Sequence, residues 1–363
     1  MNKIFYIHIS LLLFCGLFML SCDDMEDKIP NGNLIQTGET SGILVLSEGL
    51  FNMNNSTLAK FNFDSNEFFP DYFSTVNKRG LGDTAGDMAR YGSKLYIMVN
   101  ISSQIEIIDI NTGKSLKQIP MFDDKGMARQ PRHIAFYGGK AYVCSFDGTV
   151  AKIDTTTLKV ENYVNAGLNP DGICVANHKL YVSNSGGLNY PAYDKTVSVI
   201  DISTFREIKK INVGLNPGTI HSDSEGDVYV VTRGNYGSEE YKFQRISSVT
   251  DSLIDSYNDI KALGFTIHND TAYIYNYDFS NTNSWIKVFD CKHEKLISEQ
   301  FITDGTLIKT PYSIEVNPTN GDVYISDAFQ FTILGDVLCF DRNGKLKFRL
   351  KEIGLNPNKI IFI

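Results

Sequence analysis

The segment LYVSNSGGLNYPAYDKTVSVIDISTFREIKKINVGLNP, at residues 180–217, decides the fold. It holds an apolar run around Tyr181, a loop, a second run that ends in Ile200-Asp201, and a third run that leads into Gly-Leu-Asn-Pro. Apolar and polar residues alternate within each run, which is typical of half-buried β-strands. No long segment of helical period competes with this pattern. The segment therefore predicts an all-β protein.

The same sequence pattern recurs along the chain as a repeat. Its first apolar residue stands at Met88, Ile134, Ile173, Ile220, Phe265, Ile314 and Ile360, which by subtraction are 46, 39, 47, 45, 49 and 46 residues apart. This spacing is the period of a four-stranded propeller blade. Seven starts therefore predict a seven-bladed β-propeller.

The two ends of the repeat region complete each other. The stretch GILVLSEG at 42–49 resembles a second strand with no first strand before it. The stretch PNKIIFI at 357–363, in contrast, resembles the first strand of a repeat with no second strand after it. We therefore expect the C-terminal strand to become the innermost strand of the first blade and to close the ring. Closure would remove the exposed edges that invite aggregation. The propeller is predicted to span residues 42–363.

Residues 1–21 have the composition of a secretory signal, with Lys3 followed by a largely apolar run and a small residue. The sequence MLSC resembles a loose lipobox, in which Cys22 becomes the lipid-bearing first residue of the mature chain. An uncleaved membrane anchor is the alternative, because the apolar run is close to the shortest length that spans a bilayer.

Residues 22–41 are predicted to form an acidic, flexible tether, because they contain Pro, Gly and few apolar side chains. Asp23, Asp24, Glu26 and Asp27 follow the predicted lipidation site directly. This acidic run resembles the signal that Bacteroidetes lipoproteins use to reach the outer face of the outer membrane. The expected location is therefore the cell surface, with the chain anchored in the outer membrane through the lipid on Cys22.

The charge balance argues against a nucleic-acid partner. The chain has 42 Asp and Glu residues against 34 Lys and Arg residues, for a formal net charge of -8. No surplus of positive charge exists to neutralise phosphates. The acidity favours a neutral or zwitterionic ligand over an anionic polymer.

Catalytic and metal-binding motifs are missing from the sequence. Cys144, Cys174, Cys291 and Cys339 stand singly in strand patterns, as small buried hydrophobes do, and no two His have metal-ligand spacing. There is no nucleophile elbow and no Walker loop. We therefore predict no catalytic residue, no metal and no catalytic cofactor. Loop acids such as Asp194, Glu239 and Glu240 leave open a carboxylate pair for glycoside hydrolysis.

The strand order predicts two unlike faces. First-to-second and third-to-fourth turns share one face, here called the hairpin face, and are short, such as YGSK at 91–94. Second-to-third loops and blade crossings share the opposite face, here called the loop face. Its loops are longer and unlike one another, as in 185–195 and 233–242. Variation on one face of a rigid repeat is typical of a binding site.

The loop face carries the candidate ligand-binding residues. Aromatic rings supply a large contact area at low conformational cost, and amides supply hydrogen bonds to a neutral polar ligand. The predicted binding residues are Phe51, Asn52, Arg132, His133, Tyr190, Tyr193, Arg233, Tyr236, Tyr277, Phe279, Tyr312, Phe329 and Phe331.

Several motifs resemble known propellers over nearly the whole mature chain. LYVSN at 180–184 and VSVIDISTFREIKKINVG at 197–214 resemble the YncE-like propellers. IEVNPTNGDVYISDA at 314–328, GDVLCFDRNGKLK at 335–347 and the terminal GLNPNKIIF are similar to propeller surface lipoproteins of Bacteroidetes. That group includes the BtuG proteins, which capture cobalamin and sit over the TonB-dependent transporter BtuB.

The resemblance implies a monomeric seven-bladed propeller that holds cobalamin or a related corrinoid across its loop face and passes it to a BtuB-like transporter. The corrinoid would be a bound ligand, with no enzymatic step. The same Tyr and Asn loops also suit a surface receptor for glycans or peptides. A propeller lyase or hydrolase is the third alternative.

Overall fold

Alternating apolar residues give each strand two distinct faces, and the strands assemble into seven four-stranded antiparallel sheets. The computed structural model describes residues 40–278 and 283–363. The sheets follow one another as the blades of a ring, which confirms the seven-bladed β-propeller. Within the described ranges, no helix is long and apolar enough to cross a membrane.

The strands of blades 1 to 4 follow the predicted repeats. In chain order, they are β1 (Gly42–Ser47), β2 (Thr57–Asn62), β3 (Glu67–Phe69), β4 (Ala85–Tyr91), β5 (Lys94–Val99), β6 (Gln104–Asp109), β7 (Ser115–Pro120), β8 (Pro131–Tyr137), β9 (Lys140–Ser145), β10 (Thr149–Asp154), β11 (Lys159–Asn165), β12 (Pro170–Ala176), β13 (Lys179–Asn184), β14 (Thr196–Asp201) and β15 (Arg206–Asn212). Blade 1 contains β1–β3, and each later blade contains four consecutive strands.

Blades 5 to 7 complete the ring. Their strands are β16 (Pro217–Ser222), β17 (Asp227–Thr232), β18 (Lys242–Ser247), β19 (Ser252–Tyr257), β20 (Gly264–His268), β21 (Thr271–Tyr277), β22 (Ser284–Asp290), β23 (Lys295–Ser298), β24 (Pro311–Val316), β25 (Val323–Asp327), β26 (Leu334–Phe340) and β27 (Leu346–Leu355). The last strand, β28 (Pro357–Phe362), is the fourth strand of blade 1. All seven predicted first apolar residues lie in innermost strands.

A short helix, α1 (Tyr72–Asn77), lies in the crossing from blade 1 to blade 2 and was not predicted. The Asp71 carboxylate caps it by accepting a hydrogen bond from the Ser74 amide at 3.1 Å. Asn77 ties the helix to blade 2, because its side-chain amide donates to the Gly113 carbonyl at 2.9 Å. A helix of six residues is too short to show a period in the sequence.

The C-terminal strand closes the ring as predicted. β28 pairs with β1 in an antiparallel register that sets Phe362 opposite Ile43 and Ile360 opposite Val45. The Ile363 carbonyl accepts hydrogen bonds from the Ser41 amide at 2.7 Å and the Gly42 amide at 3.0 Å. Because β1 runs from the hairpin face to the loop face and β28 runs back, the described chain begins and ends on the hairpin face.

The hydrophobic core is divided among the interfaces between blades. Seven buried clusters each combine residues of two neighbouring blades. The repeated tyrosine of the second strand belongs to these clusters; Tyr181, for example, packs with Ile220 and Val228 of the next blade. Each blade therefore covers one apolar face of each of its two neighbours.

In the Gly-Leu-Asn-Pro crossings, the glycine and the asparagine have different structural roles. Asn169, Asn216 and Asn356 adopt left-handed backbone with φ of 46°, 57° and 58°. The glycine instead provides room, since a Cβ on Gly214 would lie 2.3 Å from the Thr232 hydroxyl oxygen. The glycine thus permits a tight crossing, and the asparagine supplies the unusual backbone.

Removing β28 should destabilise the whole propeller, because blade 1 loses its innermost strand and the ring opens. We expect a chain that ends at Asn356 to melt well below the parent. Ile360→Ala, at a position that is 1% exposed, should lower the free energy of unfolding by about 2–5 kcal/mol. Thermal and urea unfolding followed by circular dichroism measure both effects.

Leu307→Ala is the matched control, because Leu307 is 84% exposed and its loss should change stability by less than about 0.5 kcal/mol. A truncated chain that melts like the parent would contradict ring closure by β28.

Candidate ligand-binding site

A cavity of about 800 Å³ opens on the loop face above blades 5, 6 and 7. Its walls are mainly aromatic, and five of the six rings carry a hydroxyl group: Tyr236, Tyr241, Tyr275, Tyr277, Tyr312 and Phe331. We call it the tyrosine pocket. Its size lies in the range of small-molecule sites.

A row of tyrosines from the loops of blades 4 and 5 leads into the pocket, where Tyr236 and Tyr241 line one wall. The ring centroids of Tyr190 and Tyr193 are 6.0 Å apart, those of Tyr193 and Tyr236 are 6.1 Å apart, and those of Tyr236 and Tyr241 are 6.3 Å apart. All three contacts are edge-to-face, which favours a rigid row. Asn216 of the preceding crossing donates to the Tyr236 hydroxyl at 3.3 Å. The crossing motif thereby helps to position the row.

The opposite wall depends on an unusual turn between β25 and β26. Phe329, Gln330 and Phe331 all have positive φ, at 44°, 59° and 63°. Three consecutive left-handed residues without glycine are costly. The Asp327 carboxylate and the Thr310 hydroxyl accept the Phe329 and Gln330 amides at 3.1 and 2.8 Å.

The left-handed turn directs Phe331 into the pocket. The Phe331 ring lies 5.0 Å from the Tyr312 ring and 6.1 Å from the Tyr277 ring. Phe329 instead lies beside the cations of Lys309 and Arg349. The turn thus separates two predicted binding residues that stand two positions apart in the sequence.

The floor of the pocket is an ion-paired triad from three blades. Arg132 starts β8, Asp171 starts β12, and Arg233 follows β17. Arg132 Nε donates to Asp171 Oδ1 at 2.9 Å, its Nη2 lies 2.9 Å from the same oxygen in an ion pair, and Arg233 Nη1 donates to Oδ2 at 2.8 Å. The Arg132 guanidinium also lies over the Phe146 ring at 4.6 Å. One buried carboxylate therefore fixes two cations.

The electrostatics of the triad favour its charged form. Burial alone would raise the pKa of Asp171, but the charges of Arg132 and Arg233 outweigh burial and hold that pKa well below its usual range. The same attraction outweighs the burial of the two guanidinium groups and raises their pKa values. All three groups are therefore charged at neutral pH.

Below the triad, a polar channel of about 440 Å³ follows the propeller axis. Tyr312 donates to the Glu48 carboxylate at 2.5 Å at its upper end, and Lys359 pairs with Glu315 at 2.5 Å within it. Burial lowers the pKa of His221 to about 3, with a smaller contribution from Lys359. His221 is therefore neutral at physiological pH.

Most of the predicted loop-face residues converge on these two cavities. Arg132, Arg233, Tyr236, Tyr277, Tyr312 and Phe331 line the tyrosine pocket. His133 lines the channel, and its Nδ1 is hydrogen-bonded to the Asp171 carbonyl. Tyr190 and Tyr193 extend the tyrosine row outward.

Other predicted residues lie apart from both cavities. Phe51 is 68% exposed in the loop after β1. The backbone amide of the neighbouring Asn52 donates to the Asp83 carboxylate at 3.1 Å. Phe329 lies behind Phe331. Phe279 and Cys22 lie outside the described residues. A role for each of these in binding or anchoring stays a prediction.

The sequence prediction missed other parts of the pocket, including Tyr275, Lys261 and Leu263. Tyr275 lies inside β21, outside the loops from which the binding residues were predicted. Its position two residues before Tyr277 on the same side of the strand was the available signal. Its hydroxyl donates to the Tyr312 carbonyl at 3.0 Å, and burial is the main reason that its pKa rises to about 12.

The three loop acids do not form one group. Asp194 accepts hydrogen bonds from the Leu168 amide at 3.0 Å and the Thr196 hydroxyl at 2.8 Å, so it shapes its own loop. Glu239 and Glu240 line the tyrosine pocket, where Glu240 pairs with Lys261 at 2.7 Å. Among the described residues, no group of three or more His, Cys, Asp or Glu side chains could hold a metal ion.

Fold and pocket together define a propeller with a ligand-sized, tyrosine-lined cavity on its loop face. The chain belongs to the family described as "Domain of unknown function (DUF5074)", which matches residues 41–350. Among curated proteins, no sequence matches the chain.

Solved structures share the fold at low identity. A quinoprotein alcohol dehydrogenase-like protein from Bacteroides thetaiotaomicron is 15% identical, with a TM-score of 0.63 over 89% of this chain and 78% of that one. Hydrazine synthase from Kuenenia stuttgartiensis is also 15% identical, with a TM-score of 0.57 over 69% and 74%. The WD40 domain of Pan2 from Neurospora crassa is 10% identical, with a TM-score of 0.55 over 72% and 78%. These similarities show the fold alone.

Replacing the central carboxylate should destabilise the protein in a pH-dependent way. Asp171→Asn leaves two cations without their partner, which should cost about 3–5 kcal/mol near pH 7. Because the folded-state pKa of Asp171 is lowered, the parent keeps this stability above the unfolded-state pKa of about 3.9 and loses it as the pH falls further. Urea unfolding from pH 3 to 8 measures the difference.

The difference in unfolding free energy between parent and Asp171→Asn should be constant from pH 8 to about pH 5 and narrow below about pH 4. A difference that grows as the pH falls would contradict the assignment of Asp171 as a charged partner of both arginines.

Proposed function

We propose that the protein is a surface lipoprotein of the outer membrane that captures cobalamin or a related corrinoid and passes it to a TonB-dependent transporter, without an enzymatic step. The tyrosine pocket is the observation that carries this proposal. The resemblance of residues 314–328 and 335–347 to surface propellers of Bacteroidetes supports the corrinoid as its ligand.

The chemistry of the pocket suits a corrinoid. Such a ligand is large, partly apolar and fringed with amides, so it requires broad ring contacts together with scattered hydrogen-bonding groups. The tyrosine row offers ring edges and hydroxyls, while Lys261, Glu239 and Glu240 supply polar groups at the rim. The pocket is also open enough for part of a large ligand to remain outside it.

A transporter partner is supported by the apolar side chains that are exposed on the loop face. Twelve of the twenty exposed large apolar side chains of the described chain belong to loop-face segments: Leu50, Phe51, Met53, Phe122, Met127, Leu168, Leu188, Tyr190, Tyr236, Leu307, Ile333 and Leu334. Concentration of exposed apolar side chains on one face is a feature of protein interaction sites. A partner that contacts the loop face would also contact the mouth of the pocket.

The position of the termini suits a protein anchored through its N-terminal segment. Thr40 donates from its hydroxyl to the Asn317 side chain at 3.2 Å, and Asn317 lies on the hairpin face. An anchor at Cys22 would therefore join the propeller on the side opposite the tyrosine pocket. In this arrangement the pocket is open to ligand from the medium.

A glycan receptor is the second candidate, favoured by one feature of the rim. The Lys261–Glu240 ion pair lies beside Tyr236 and Tyr241 in the pocket wall. Sugar rings stack on aromatic faces while their hydroxyls bind paired charges of this kind.

Binding of cyanocobalamin by the purified mature domain tests the proposal. We expect saturable binding at micromolar concentration, co-elution of the coloured ligand in gel filtration, and recovery of the ligand unchanged. Tyr236→Ala and Tyr241→Ala should each weaken binding at least tenfold, or about 1.4 kcal/mol, because each removes a ring from the pocket wall.

Tyr137→Ala is the matched control, since Tyr137 is an exposed tyrosine of the hairpin face, and it should bind like the parent. No binding of cyanocobalamin, together with saturation on a soluble glycan panel, would favour the glycan receptor instead. Chemical conversion of the corrinoid or a glycan would contradict the non-enzymatic part of the proposal.

A further inference from the structure

The tyrosine pocket and the axial channel meet at the triad. Arg132, Arg233, Tyr275 and Tyr312 line both cavities. A group carried on an arm of a bound ligand would therefore reach the two guanidinium groups first as it entered from the pocket toward the channel. What these groups can bind depends on the hydrogen-bond donors that the triad leaves unused.

Most donors of the two arginines are unused. Each guanidinium carries five N–H groups in a planar fork. Asp171 accepts hydrogen bonds from Nε of Arg132 and Nη1 of Arg233, and Nη2 of Arg132 also lies within ion-pair distance of it. In the part of the chain that the structure describes, no hydrogen bond is found for Nη1 of Arg132 or for Nε and Nη2 of Arg233. Asp171 thus holds both groups in place without satisfying them.

The charge of the floor is also incompletely balanced by direct contacts. Two guanidinium groups share one carboxylate, which leaves one positive charge on the triad. The charge of a second carboxylate, Glu48, also raises the pKa of Arg132, but Glu48 accepts its hydrogen bond from the Tyr312 hydroxyl, at 2.5 Å. Within residues 40–278 and 283–363, Glu48 forms no ion pair with either arginine. An incoming anionic oxygen would therefore complete the triad.

We propose that Arg132 and Arg233, positioned by Asp171, bind an oxyanion of the ligand, a phosphate or a carboxylate group. Guanidinium forks match the paired oxygens of both groups. This inference rests on the proposed function of the tyrosine pocket. For a corrinoid, the group is the phosphodiester of its nucleotide arm, so the site would distinguish complete corrinoids from those that lack this arm.

The first test uses inorganic phosphate and acetate as probes, without any corrinoid. Isothermal titration of the mature domain should show saturable phosphate binding if the site takes phosphate, or acetate binding if it takes carboxylate. Arg233→Gln should weaken that binding at least tenfold, whereas Arg206→Gln, at an exposed arginine of β15, should leave it unchanged. Absence of binding by both anions, or equal loss in both variants, would overturn the oxyanion site.

Arg233→Lys protects the test against misfolding, because lysine keeps the positive charge beside Asp171 but lacks the fork. It should melt like the parent and still lose at least threefold in anion binding. Unchanged anion affinity in a folded Arg233→Lys domain would show that the fork is not required and would overturn the assignment.

The second test compares cyanocobalamin with cobinamide, which has the corrin ring without the nucleotide arm and its phosphate. Arg233→Gln should weaken cyanocobalamin binding at least tenfold and cobinamide binding less than twofold. Equal weakening of both would overturn the phosphate contact. If the parent binds neither corrinoid, the proposed function fails, and the anion titration still decides the oxyanion site.

Discussion

The pairing of β28 with β1 is the constraint on which the remaining structure depends. Each blade has two apolar faces, and a four-stranded sheet cannot cover either face by itself. In an open row, the first and last blades would each expose one face and one strand edge. The C-terminal strand removes both problems by making blade 1 from the two ends of the chain. Seven interface clusters then replace a single central core.

Ring closure also creates the site. Arg132, Asp171 and Arg233 stand up to 101 residues apart in the sequence, yet they lie in the neighbouring blades 3, 4 and 5. Arg132 and Asp171 lie near the starts of the innermost strands β8 and β12, and Arg233 directly follows the second strand β17. The ring brings two cations and one carboxylate within hydrogen-bonding distance there. Such buried charges are tolerated only when they are paired. The triad therefore requires accurate blade positions. The same blade positions also place the residues of the pocket above it.

The fold could be predicted from the sequence because the strand pattern of a blade recurs along the chain. Spacing, strand alternation and the incomplete repeat at 357–363 together predicted blade number and closure, whereas the six residues of α1 are too few to give a periodic signal. The site was only partly predictable. Loop aromatics could be chosen by face, but the left-handed turn that turns Phe331 inward and leaves Phe329 behind it depends on contacts with Asp327 and Thr310. Tyr275 was missed because strand interiors were assigned to packing.

The central claim is that the tyrosine pocket of the loop face holds the ligand, and hydrogen–deuterium exchange with and without cyanocobalamin tests it most directly. Slower exchange is predicted for the backbone amides of 233–242 and 328–335 and for the start of β24, with no change in the hairpin-face turns at 91–94 and 137–140. Protection confined to the hairpin face, or spread evenly over all seven blades, would contradict the account.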